Sequence, residues 1–152
     1  PDLVLDLRGS KNKKAQDTNY GLDTIYTNNV EEVVSFDGDD TIHGNFNNNV
    51  FKVGDGDNTV FAYGGDDLIE VGSGYSDIFL GSGNDTVKIV GEQGAISIVD
   101  FGADDNIVTS SNVDIEGLQK QNGNIEFDIG ELNVSVETDL NIDDFYNLIL
   151  IS

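Results

Sequence analysis

From Ser35 to Lys88 the chain keeps a nine-residue period: SFDGDDTIH, GNFNNNVFK, VGDGDNTVF, AYGGDDLIE, VGSGYSDIF and LGSGNDTVK follow one another without an insertion. Each unit is too short to bury its own apolar side chains, so such a period demands a fold in which neighbours stack. The eighth position is Ile42, Phe51, Val60, Ile69, Ile78 and Val87, and the next apolar position lies two residues on, as in Phe51 and Val53 or Ile78 and Leu80. Residues two apart on a strand share a face, so each unit ends in a short strand with two inward side chains. Positions three to six are mostly Gly, Asn and Asp, the residues of tight turns. Strand and turn alternate, and two nine-residue units close a coil of 18 residues.

The fold predicted is all-β: a parallel β-roll, or two-sheet β-solenoid, in which units two apart stack about 4.8 Å from each other. That register builds two outward ladders at the ninth position, His43, Phe61 and Phe79 on one sheet and Lys52, Glu70 and Lys88 on the other. Residues 1–34 supply an N-terminal strand, with Leu3, Leu5 and Leu7 on one side, and an irregular first coil. The roll is expected over 35–98, with one more strand at Ile96-Ser97-Ile98. Residues 99–152 form a C-terminal cap built on an antiparallel hairpin, Asn124 to Ile129 and Leu132 to Glu137 about Gly130. A capped helical turn follows near Asn141 to Phe145, and a short apolar strand closes the chain. The whole is read as one elongated domain, a monomer, and a piece of a larger protein because it begins at Pro1.

Charge narrows the function. Against 29 Asp and Glu stand 7 Lys and Arg, a formal charge of -22. Such a chain repels nucleic acid and anionic membranes, and it resists compaction until cations neutralise it. No apolar run approaches the roughly 20 residues of a membrane span. With no cysteine and His43 as the sole histidine, nucleophilic triads and zinc sites lack material, and the chain is read as non-catalytic.

The nonapeptide G-G-x-G-x-D-x-U-x, with U a large apolar residue, is the signature of calcium-binding β-helices, and the six units resemble the RTX, or hemolysin-type, calcium-binding family. Similar sequences flank the repeats in that family: Leu3 to Asp6, Leu22 to Ile25, Val99 to Gly102, and the ending Asp143-Asp144-Phe145. The resemblance implies a secreted, extracellular module exported by a type I secretion apparatus, with Ca²⁺ as cofactor. Calcium takes six to eight oxygens, and a glycine turn aims backbone carbonyls at one point while an Asp supplies charge. The sixth position, which carries that Asp in the family, is here Asp40, Asn49, Asn58, Asp67, Ser76 and Asp85.

Stacking parity sorts these residues into two columns: Asn49, Asp67, Asp85 and Asp40, Asn58, Ser76. Only Asp67 and Asp85 form a vertical pair of carboxylates, so they are expected to hold calcium with the turns of Gly65 and Gly83. Asp40 and Asn58, with Gly38 and Gly56, form a weaker expected site. Beside this stands a metal-free reading, in which Asn48, Asn49 and Asn58 form amide ladders that glue the turns without an ion. A second function is kept open because the family includes modules appended to alginate-modifying enzymes: binding of an extracellular polysaccharide through Arg8, Lys11, Lys13 and Lys14 and the aromatic residues Phe61 and Phe79. An adhesin or surface-layer segment is a third.

Overall fold

A computed structural model describes residues 4–6, 32–109 and 115–151. The chain winds as a two-sheet parallel solenoid. The first sheet takes β1 (Val4–Asp6), β3 (Thr41–Asn45), β5 (Asn58–Tyr63), β7 (Gly74–Phe79) and β9 (Gln93–Val99) in that order. The second takes β2 (Glu32–Val34), β4 (Val50–Val53), β6 (Leu68–Val71), β8 (Thr86–Ile89) and β10 (Asn106–Thr109). Thr41 pairs with Thr59, Ile42 with Val60 and Val60 with Ile78, an advance of 18 residues per coil, as the doubled period requires.

The alternation that the repeats encode becomes the core. Ile42, Val60, Ile78 and Ile98 from one sheet face Phe51, Ile69, Val87 and Ile107 from the other, and all are buried. Fully burying such a side chain is worth about 1.5–3 kcal/mol. Gly44 breaks the apolar series at the first position because the Phe51 ring occupies its space: a Cβ there would lie 2.8 Å from Phe51 Cζ.

The outward ladders also form. The rings of His43 and Phe61, and of Phe61 and Phe79, stack with centroids 4.7 Å apart, and Tyr63 Oη lies 3.0 Å from His43 Nδ1. The charged ladder resolves into two pairs. Lys88 Nζ meets Glu70 Oε2 at 2.9 Å, while Lys52 reaches diagonally to Glu32.

The period does not stop where the sequence suggests. Thr86 pairs with Asn106 and Ile78 with Ile98, so the last coil advances 20 residues, the two extra lying between Ile89 and Gly94. The expected hairpin is present as β12 (Asn124–Ile129) and β13 (Glu131–Glu137), with Gly130 at φ 62°. β13 also pairs in parallel with β9, so the hairpin and the preceding β11 (Ile115–Gln121) prolong the first sheet. β14 (Ile149–Ile151) prolongs the second by pairing with β10. Between them Asn141 caps α1 (Ile142–Tyr146) by accepting Asp144 N–H at 2.9 Å, and the fully buried Phe145 packs edge-on against Phe101. Among the described residues no helix is long and apolar enough to cross a membrane. Of the expected first coil over 18–34, the last three residues form β2 and the rest lies outside the described residues.

Turns of successive coils touch through backbone. Gly74 adopts φ 115°, and a Cβ on it would run into the carbonyl of Gly56 one coil earlier. Gly102, by contrast, has its nearest atom 3.7 Å from such a Cβ. We therefore expect Gly74→Ala to cost about 1–3 kcal/mol of stability and Gly102→Ala to stay within about 0.5 kcal/mol. Urea unfolding at fixed calcium measures both, and equal costs would contradict the close approach of the coils.

Candidate metal centre

One stack of turns brings Asn49, Asp67 and Asp85 into a column, each at most 2 % exposed. Asn49 N–H donates to Asp67 Oδ1 at 2.7 Å, and Asp67 N–H donates to Asp85 Oδ1 at 2.8 Å. Each carboxylate thus uses one oxygen to hold the coil before it. Asp85 N–H continues the series to Asp105 Oδ1 at 2.8 Å. Asp105 was not among the sequence-predicted residues because the last coil is two residues longer; a strict count of 18 from Asp85 lands on Ala103. The run Asp105-Asn106-Ile107, which repeats the D-x-U pattern, is the signal that points to it.

The second oxygens differ along the column. Asp105 Oδ2 accepts Gly102 N–H at 2.7 Å. The Oδ2 atoms of Asp67 and Asp85 are buried and have no hydrogen-bond donor. A buried carboxylate oxygen without a donor carries a large desolvation cost unless a proton or a cation meets it. Burial accordingly pushes the Asp67 carboxyl up to about 7, with Asp85 and Asp66 adding repulsion and the Asn49 N–H opposing. Burial likewise pushes Asp85 up to about 6, aided by Asp105 and Asp66, and raises Asp105.

The opposite stack is built on Asp40, Asn58 and Ser76, all buried. Asp40 N–H donates to Asn58 Oδ1 at 3.0 Å, the same coil-to-coil bond. The Asn58 amide nitrogen donates to the carbonyls of Gly54 and Gly56 at 3.2 and 3.3 Å. Asn58, expected as part of a weak metal site, therefore spends its second polar atom on its own turn. Outside both inner columns, exposed carboxylates and amides hold the coils in the reverse direction. Asp57 N–H donates to Asp39 Oδ1, Ser73 N–H to Asp55 Oδ1, Asp66 N–H to Asn48 Oδ1 and Asn84 N–H to Asp66 Oδ1, at 2.7–3.0 Å.

The remaining expected residues lie apart. Phe61 and Phe79 stand on the outward face of the first sheet, not in the turns. Arg8, Lys11, Lys13 and Lys14 lie outside the described residues. Among the described residues no three His, Cys, Asp or Glu side chains converge on a point. Any ion here must draw on stacked carboxylate pairs and backbone carbonyls, an all-oxygen donor set of the kind that hard cations such as Ca²⁺ take. The positive φ of Gly65 and Gly83, 101° and 146°, shapes the two turns that flank the unpartnered oxygens.

No curated protein and no solved structure matches the chain. A family model does: the RTX calcium-binding nonapeptide repeat matches over residues 35–69 and 43–78, with four copies. RTX nonapeptide repeats bind calcium, and residues 35–78 of this chain match their model.

Proposed function

We propose that Asp67 and Asp85, with the turns of Gly65 and Gly83, hold calcium between adjacent coils, and that this ion couples folding to the calcium level outside the cell. The observation that supports this reading is the pair of buried, donorless Oδ2 atoms one coil apart. Bound there, calcium supplies the positive charge and oxygen coordination that the two carboxylates need. Asp105 ends the column, since the Gly102 N–H already serves its second oxygen. In the weaker pair Asp40 and Asn58, the Asn58 amide is committed to Gly54 and Gly56.

In this reading the chain is a non-catalytic secretion and stabilising module of a larger extracellular protein. With calcium scarce, the buried carboxylates and the charge of -22 oppose closure of the turns and keep the chain suited to type I export. Extracellular calcium modules bind with Kd about 10⁻⁴–10⁻³ M. Ligand at ten times Kd then adds about 1.4 kcal/mol and at a hundred times about 2.7 kcal/mol. Both sheets run without a break from the repeats into β13 and β14, which favours one module over an array with a separate cap. The polysaccharide alternative finds no open face on Phe61, since His43 and Phe79 cover both and a sugar ring docks on a ring face.

Two outcomes follow from the column. Millimolar calcium is expected to raise the melting temperature of the chelator-treated chain, followed by far-ultraviolet circular dichroism, and the paired change Asp67→Asn with Asp85→Asn is expected to remove most of that rise. A calcium response that survives the paired change would sink the assignment.

The second outcome concerns pH. Asp67 and Asp85 have folded-state values of about 7 and about 6, above the ordinary 3.8, so the metal-free folded chain binds more protons than the unfolded one between those limits. Their contribution is therefore fully favourable below about pH 4 and is lost as pH rises through 6–7. In chelator we expect the melting temperature to fall by about 5 °C or more from pH 4.5 to 7.5. The Asn pair should flatten that slope; a slope unchanged by it would place the effect in the exposed acids.

A further inference from the structure

We propose that Asn58 lets its own turn do without calcium, its amide nitrogen taking the place that a cation takes beside Asp67 and Asp85; the comparison rests on the calcium reading of those two residues. The side chains sit alike. Asn58 Oδ1 accepts the N–H of Asp40 one coil back, as Asp67 Oδ1 accepts that of Asn49 and Asp85 Oδ1 that of Asp67. This bond fixes the orientation of the amide, because an N–H can meet only the oxygen. The second terminal atom of each side chain then points the same way relative to its own turn.

What stands at that second position differs. In Asp67 and Asp85 it is a buried oxygen without a donor. In Asn58 it is an NH₂ group with two hydrogens, directed at two acceptors of its own turn, Gly54 O and Gly56 O. An amide carries two donors at this nitrogen, so both are used. Carbonyls that have accepted these bonds are no longer available to an ion, and the neutral amide adds no charge that would attract one. The turn is closed by its own side chain.

Asp and Asn have nearly the same shape, so exchanging them reverses the chemistry with little change in volume. Asn58→Asp would place a buried oxygen against two carbonyl oxygens, with Asp40 in the same column. Such a turn closes only around a cation or a proton. Asn49 marks the amide end of the other column in a related way: its Oδ1 accepts Asn45 N–H at 3.1 Å. The Asn58 turn thus holds itself together, while the turns of Asp67 and Asp85 answer to calcium. Chelation should loosen the Asp67 turn while the Asn58 turn keeps its coils in register.

The test is isothermal titration of the chelator-treated full chain with calcium chloride, alongside melting followed by circular dichroism, on wild type, Asn58→Asp and Asn58→Ala. For Asn58→Asp we expect the number of bound ions to rise by one over wild type, a lower melting temperature in chelator, and its recovery in millimolar calcium. For Asn58→Ala we expect a lower melting temperature with and without calcium and an unchanged ion count. The proposal is overturned if Asn58→Asp binds no additional ion, if it stays unfolded in calcium, or if Asn58→Ala loses an ion, which would make Asn58 a ligand. A wild type that takes up no calcium would defeat the assignment of Asp67 and Asp85, whereas the difference between Asn58→Asp and wild type still reports on Asn58.

Discussion

Everything in this roll depends on how one turn is held to the next. Strand ladders satisfy the backbone along the sheets, but the turns between them leave N–H groups that no neighbouring strand can reach. The sixth position of the repeat meets that demand. Its side-chain oxygen accepts an N–H from the preceding coil in Asn58, Asp67, Asp85 and Asp105 alike. A side chain with one acceptor oxygen at the right reach is needed, and both Asp and Asn qualify. The choice between them decides only what the second terminal atom requires. Stability and metal chemistry are therefore carried by different atoms of the same side chain.

The core was legible from the sequence because two periods coincide. Side chains on a strand alternate every two residues, and the coil repeats every 18, so the inward positions, the parallel register and both outward ladders follow from counting. The count fails where the chain adds two residues between Ile89 and Gly94. That is why Asn106–Thr109 and the buried Asp105 escape a strict ruler although their residue types fit the pattern. β11 was illegible for another reason. Its register shifts between Glu116 and Gln119, and its run Gln119-Lys120-Gln121 shows no alternation of apolar and polar residues. The terminal strands were readable as strands but not as continuations of the two sheets, since nothing in their composition specifies a parallel partner.

At the candidate site, parity selected the carboxylate pair, and the structure brings Asp67 and Asp85 together as expected. The task of Asn58 could be raised from sequence only as a general amide ladder. Which carbonyls its nitrogen meets depends on the path of a glycine turn, and that path is not written in residue types. The same holds for the exposed acids Asp39, Asp55 and Asp66, each of which clasps a neighbouring coil from outside.

The distribution of charge between inner and outer columns completes the picture. Beside the inner acids Asp67, Asp85 and Asp105 the outer column alternates, with Asn48 and Asn84 on either side of Asp66 and Asp104 beyond. Where the outer columns are acidic, at Asp37, Asp39, Asp55 and Asp57, the inner column below Asp40 turns neutral at Asn58 and Ser76. Exposed carboxylates repel one another weakly because water and salt screen them, whereas buried ones do not enjoy that screening. Acid stands in both columns at Asp39 and Asp40, at Asp66 and Asp67 and at Asp104 and Asp105, and in each turn the outer carboxylate is exposed while the inner one is buried. The buried second oxygens of Asp67 and Asp85 are left without a donor, and it is there that a chain of charge -22 calls for a cation.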